Sequence, residues 1–190
     1  MHKRRRPNNP IGAKMPGIDE TRTFIPLNLS ILTISDTRTI EEDTSGAFLV
    51  QAATSAGHHI HERTIVRDDI WAIRAHICRW VASGSCDVII STGGTGLTGR
   101  DVTIEAVRPL LDKVVDGFAH LFHEVSRGHV GTSTMQSRAM GGLAGQTYIF
   151  CLPGSTGACK DGWNSILHYQ LDSRHRPCNL SEIIPRLSEH

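Results

Sequence analysis

Apolar positions along the chain follow two periods, and the places where the period changes mark the elements. Residues 27–34 (LNLSILTI) are mostly branched and apolar, the pattern of a strand covered on both faces. After a polar loop, Asp43, Thr44 and Ser45 offer a helix cap, and Leu49, Ala52, Ala53 and Ala56 recur at helical spacing until Gly57 stops them. Residues 58–66 predict a second strand. Asp68 or Asp69 then caps a helix whose apolar face carries Ile70, Ile73, Ile77, Trp80 and Val81, closed by Gly84. Residues 87–91 (DVIIS) predict a short third strand, and the glycine-rich segment 92–99 (TGGTGLTG) begins directly at its carboxyl end. Farther on, the pattern predicts a helix over 115–125, a loop rich in Gly, Thr and Ser through Ser137 and Arg138, and a strand over 147–152 that runs into Pro153, Gly154 and Ser155. A last helix and an extended segment over 174–185 complete the chain.

Strand and helix in alternation specify the α/β class, with a mostly parallel sheet joined by right-handed crossovers. Ligands of such sheets bind beyond the carboxyl ends of the strands, so the polar loops 35–45, 92–101 and 153–155 are the places for chemistry. A chain of 190 residues suits one well-buried domain. We assign that domain to residues 24–190 and read residues 1–23 as a basic, flexible extension.

Charge sharpens the boundary. Residues 1–24 hold six basic and two acidic groups, a net charge of roughly +4 in a chain of net +1. The remainder is slightly acidic, so the sequence argues against nucleic-acid binding. No run approaches the roughly 20 apolar residues of a membrane span, and the basic start has no apolar segment behind it, which points to the cytoplasm. The five cysteines (Cys78, Cys86, Cys151, Cys159, Cys178) are scattered and read as free thiols. The clusters His58, His59, His61 and His120, His123, His129 lack the convergence that a metal site needs.

Four glycines within eight residues, interleaved with hydroxyls, leave backbone amides uncovered and open conformations closed to other residues. A loop of that kind wraps a phosphate, and a helix beginning near residues 101–103 would add its dipole. Gly94, Gly96 and Gly99 also match the dinucleotide-binding spacing, with Asp116 near the place of the ribose acid, but the loop follows the third strand and leads into Arg100 and Asp101. The Walker lysine is absent. Nicotinamide-dependent hydride transfer and P-loop hydrolysis are both disfavoured on these grounds. Asp101 and Glu105 lie four residues apart, on one helix face if the helix starts there, and beside bound phosphates they suit Mg²⁺. The plainer alternative makes Asp101 an N-cap and Glu105 a solvated helix residue.

These segments together resemble a known family. ILTISDTR (31–38), EDTSG (42–46), STGGTGLTGRDVTIEA (91–106), QSRAM (136–140), LPGST (152–156) and RPCN (176–179) are similar to motifs of the molybdenum cofactor biosynthesis proteins of the MoaB and MogA type, which share the fold of the gephyrin G domain. The FIP opening at 24–26 and the RPCN ending favour the MoaB branch. The resemblance implies a three-layer α/β/α sandwich, assembly with itself into trimers or hexamers, partnership with other proteins of the pathway, and transfer of AMP from ATP to molybdopterin with Mg²⁺. It places Thr92, Gly93, Gly94, Thr95 and Gly96 on phosphates, and Asp101, Asp43, Ser137 and Arg138 at the chemistry. Asp36, Ser45, Pro153, Gly154 and Ser155 would line the same pocket, with Asp101 and Glu105 at the metal. One departure is Ile104, where the family has proline. A molybdopterin carrier or scaffold without the reaction is the alternative within the same pathway.

Overall fold

The computed structural model describes residues 17–189. In chain order the elements are β1 (Gly17–Ile18), β2 (Asn28–Ile34), α1 (Thr44–Ser55), β3 (His59–Val66), α2 (Ile70–Ser83), β4 (Val88–Thr92), α3 (Thr103–Val107), β5 (Lys113–Val114), α4 (Asp116–Val130), β6 (Met140–Ala144), β7 (Thr147–Leu152), α5 (Thr156–Gly162), a π turn (Trp163–Leu167), α6 (His168–Gln170) and β8 (His175–Arg176). Six strands form one sheet in the order β3-β2-β4-β7-β6-β5. Neighbours among β3, β2, β4 and β7 are parallel, while β6 is antiparallel to both β7 and β5.

Alternation along the strands divides the core between two faces. Leu29 and Ile31 of β2, Val88 and Ile90 of β4, and Phe150 of β7 join Leu49 of α1, Phe118 and Phe122 of α4, and Trp163. Leu32, Ile89, Ile149 and Cys151 point the other way, to Ile73, Ile77 and Trp80 of α2 and to Ile104 and Val107 of α3. This is the three-layer α/β/α sandwich, and its central strands read as apolar runs because both faces are covered. Ile31, Ile89 and Ile90 are fully buried, so truncating any of them to alanine is expected to cost about 2–5 kcal/mol. The helix punctuation is as the sequence reads it: Asp43 and Asp69 accept from the amides of Gly46 and Ala72, and Gly84 closes α2 at φ 63°.

The structure departs from the sequence reading at the far edge of the sheet. The sequence reading places no element between Arg138 and residue 147, where the structure has β6, whose sequence MGGLA has little strand propensity. Its glycines are set by packing: a Cβ on Gly141 would meet Phe118 at 2.9 Å, and one on Gly142 would meet the carbonyl oxygen of Lys113 at 2.8 Å. The helix expected over 115–125 runs on to Val130 and is followed by a 3₁₀ segment, Gly131–Gln136. The extended segment expected over 174–185 is a short strand, turns and the start of a 3₁₀ helix, Ile184–Arg186.

Residues 1–16 of the basic extension lie outside the described residues. Residues 17–23 belong to the packed surface, so order begins before the boundary drawn at residue 24. There β1 pairs with β8, the Arg22 guanidinium donates to the Ser173 carbonyl (2.6 Å), and Arg22 forms an ion pair with Glu182. All five cysteines are free. Among the described residues no helix is long and apolar enough to cross a membrane.

Candidate functional site

Three connections leave the carboxyl ends of adjacent strands and meet: residues 35–43 after β2, residues 93–102 after β4, and residues 153–155 after β7. Between them lies an open cavity of about 520 Å³, walled by Ser35, Asp36, Thr37, Arg38, Asp68, Gly93, Gly94, Thr95, Gly96, Arg100, Asp101, Ser137, Pro153 and Gly154. The sequence placed the site at these three loops, and the cavity is there.

The glycine loop is held by one amide and two carbonyls. The Gly93 amide donates to the Leu152 carbonyl (3.1 Å), the Thr103 hydroxyl donates to the Gly93 carbonyl (2.8 Å), and the Thr103 amide donates to the Gly94 carbonyl (2.9 Å). Gly93 and Gly94 sit at φ 105° and 61°, where a side chain is strained, and a Cβ on Gly93 would collide with the Ile34 carbonyl. Among the described residues, the amides of Gly94 and Thr95 find no acceptor in the loop itself. Two N–H groups without a protein acceptor on the wall of a cavity are the kind of arrangement that can receive an anion.

Two carboxylates touch that loop. A side chain on Gly94 would meet Asp68 Oδ1 at 2.8 Å, and one on Gly96 would meet Asp101 Oδ2 at 2.7 Å. Asp101 does not cap α3, whose N-cap is Val102. It turns back to accept from the Thr98 hydroxyl (2.6 Å) and the Thr98 amide (2.9 Å), bonds that hold its carboxyl below the ordinary value. Asp68 behaves oppositely, since burial and then the nearby charge of Asp36 push its carboxyl above the ordinary value. Asp36 is clamped by Arg100, whose Nε donates at 3.0 Å and whose Nη2 makes a closer contact. That bond lowers the Asp36 pKa.

The remaining predicted residues divide into cavity wall and support. Ser137, Pro153 and Gly154 line the cavity. Thr92 lies beneath it, its buried hydroxyl donating to the Pro153 carbonyl (3.0 Å), and Ser45 is likewise buried with its hydroxyl on the Gly154 carbonyl (2.9 Å). Ser155 caps α5 by accepting from the Ala158 amide (3.1 Å). Arg138 is a clamp rather than a wall. Its Nε donates to the Thr95 carbonyl (3.1 Å), its Nη2 to the Asp101 carbonyl (3.1 Å), and it pairs with Glu105.

Two expectations are corrected. Glu105 is not on a shared helix face with Asp101, because α3 begins at Thr103; its carboxylate is turned to Arg138, which lowers its pKa. Asp43 is 1 % exposed and lines no part of the cavity. Burial pushes its carboxyl up, but the Gly46 amide (2.9 Å), the Thr33 hydroxyl (2.7 Å) and Arg63 (3.0 Å) outweigh this and hold it below the ordinary value. The departure at residue 104 is benign, for Ile104 is buried in the core under α2. Asp68, Arg38 and Arg100 are cavity residues that the sequence reading did not assign to the site. The doubled acid at 68 and 69 was the available signal: one carboxylate caps α2, which leaves the other for the loop.

The family described as a probable molybdopterin binding domain matches residues 30–173. Among curated proteins, the chain is 49% identical over 156 residues to "Molybdenum cofactor biosynthesis protein B" of Escherichia coli K12, covering 82% of this chain and 92% of that protein. It is 47% identical over 139 residues to the protein of the same name from Staphylococcus epidermidis, covering 71% and 79%. Among solved structures, a molybdenum cofactor biosynthesis protein B superposes with a TM-score of 0.80 at 38% identity, covering 89% of this chain and 100% of that one. The tungsten cofactor synthesizing protein MoaB of Pyrococcus furiosus gives 0.72 at 30% identity, covering 86% and 98%. With a family match over most of its length and relatives this similar across nearly their whole chains, this chain belongs to the MoaB and MogA family of molybdenum cofactor biosynthesis proteins.

Proposed function

We propose that this member of the family acts in molybdenum cofactor synthesis as a molybdopterin adenylyltransferase, transferring AMP from ATP to the molybdopterin phosphate and releasing pyrophosphate. The observation that carries the reading is the free amide pair of Gly94 and Thr95, set in a loop that Asp68 and Asp101 touch from its side-chain face. Amides bind phosphate oxygens directly, whereas carboxylates so close to them are tolerated only with a cation between.

The donors fit Mg²⁺. Asp101 and Asp68 supply hard oxygens against the loop, and with Asp36 they place three carboxylates on one cavity wall, where a cation is welcome; burial first, and then the charge of Asp36, raises the Asp68 pKa. Among the described residues no three His, Cys, Asp or Glu side chains are grouped to hold a metal alone, which suits an ion that takes most of its ligands from water and phosphate. Mg²⁺, when bound, neutralises the triphosphate.

In the transfer, an oxygen of the molybdopterin phosphate attacks the α-phosphorus of ATP, and the bond to the departing pyrophosphate breaks. No side-chain nucleophile is required, so the chain contributes position and charge. Gly94 and Thr95 hold phosphate oxygens, Arg100 and Arg38 offset charge at the rim, and Ser137 offers a hydroxyl. Arg138 and Glu105 act through the loop by fixing the Thr95 and Asp101 carbonyls. Incubation with molybdopterin, ATP and Mg²⁺, following pyrophosphate and the mass of the pterin, tests the reading. Adenylylated pterin from the native chain, reduced at least about 100-fold in Asp101→Asn, is the expected result. Molybdopterin binding with no transfer would instead make the chain a carrier.

A further inference from the structure

A second cavity of about 500 Å³ lies against the edge strand β3, behind the wall formed by residues 35–38. It shares Ser35, Asp36 and Arg38 with the glycine-loop cavity and is otherwise lined by Thr39 and Ile40 of the same loop, by residues 63–66 of β3 and by Arg67. Its charge is reversed. Three aspartates wall the glycine-loop cavity, whereas here three arginines meet a single aspartate, and that aspartate is bound to Arg100.

The arginines are incompletely used. Arg67 makes no hydrogen bond or ion pair with its guanidinium among the described residues. Arg38 uses Nη1 alone, which donates to the Gly154 carbonyl (3.1 Å) and the Ser45 hydroxyl (3.5 Å) and lies 3.9 Å from Asp43, and its Nη2 and Nε make no hydrogen bond among the described residues. Arg63 spends its Nη2 on Asp43 and the Ile40 carbonyl, and its Nε–H is buried without any partner. A buried, unpaired guanidinium N–H is costly unless something accepts from it. Glu41 and Glu42 lie nearby but are not part of the wall.

We propose that this cavity is a second anion subsite, one that takes a phosphate or pyrophosphate group on Arg38, Arg63 and Arg67 without a metal ion. Arginine forks match phosphate oxygens in pairs. Adenylyl transfer brings together two anionic substrates, and Arg38, common to both cavities, joins the metal-dependent site to the metal-free one. The inference rests on the adenylyl-transfer reading for the identity of the natural ligand, while the anion affinity stands apart from it.

The test is calorimetric titration of the full chain with inorganic phosphate and with pyrophosphate in EDTA. The native chain binds at least one of them. Arg67→Ala weakens that binding roughly five- to tenfold and Arg67→Glu removes it, with thermal melting little changed in both, because the exposed Arg67 guanidinium makes no hydrogen bond or ion pair among the described residues and acts only at a distance on Asp36. Tighter pyrophosphate assigns the cavity to the nucleotide tail; tighter phosphate assigns it to the attacking monoester. Asp101→Asn leaves this EDTA-resistant binding intact while transfer falls. No binding in EDTA by the native chain, or equal binding by Arg67→Glu, overturns the subsite even if adenylyl transfer is found. Arginine-dependent binding in a chain that transfers nothing upholds the subsite and removes the transfer reading.

Discussion

Asp43 and Asp101 follow adjacent strands at the same end of the sheet, and their surroundings divide them. The connection after β2 folds Asp43 inward, where it caps α1, accepts from Thr33 and Gly46, and neutralises Arg63. The connection after β4 keeps Asp101 at the cavity wall, where Thr98 satisfies part of the carboxylate and the glycine loop presents amides beside it. A carboxylate in a polar loop at a strand's carboxyl end is thus insufficient to mark chemistry. What separates the two is whether the protein itself supplies the balancing donors.

The largest expected effect tests the buried member of the pair. Asp43→Ala leaves Arg63 without its carboxylate and α1 without its cap, and it is expected to lower unfolding stability by about 3–5 kcal/mol in urea denaturation. A loss under about 1 kcal/mol would show that Asp43 is not the support it looks to be. Asp101→Asn should do the reverse, keeping an oxygen for the Thr98 amide and holding the melting temperature while transfer collapses. Arg138→Ala sharpens the contrast between wall and clamp. It releases the Thr95 and Asp101 carbonyls together, so we expect about 1–2 kcal/mol of stability lost along with weaker ATP binding.

Asp68 gives the smallest effect and a pH signature. Its folded carboxyl titrates above the ordinary 3.8, so the folded state is disfavoured relative to the unfolded chain as pH rises from 3.8 through that higher value. Asp68→Asn removes the penalty. The variant should melt slightly higher than the native chain at pH 7, and this advantage should shrink as the pH falls through that higher value toward 3.8 and be absent below it. An unchanged difference across that range would mean that the crowding of Asp36, Asp68 and Asp101 is relieved in solution.

Much of this was legible in the sequence because the central elements are written by local rules. β2, β4 and β7 are apolar runs between loops, Asp43, Asp69 and Gly84 punctuate the helices where expected, and the glycine segment sits at the end of β4. β6 was not legible, because Gly141 and Gly142 are chosen for closeness to Phe118 and Lys113, neighbours that only the folded chain provides. The site shows the same divide. Gly93, Gly94 and Asp101 could be placed from one contiguous motif, whereas Asp68 reaches the loop from the start of α2, and the Arg138–Glu105 clamp joins residues 33 apart in sequence. Long-range pairing of charges leaves no periodic trace.

The central claim, that the glycine-loop cavity binds nucleotide through its amides and a cation held by Asp101 and Asp68, is tested most directly by titrating the chain with ATP in Mg²⁺ and again in EDTA. The account predicts affinity that depends on Mg²⁺ in the native chain and is weakened roughly tenfold or more in Asp101→Asn. Equal ATP affinity with and without the metal, unchanged in that variant, would contradict it.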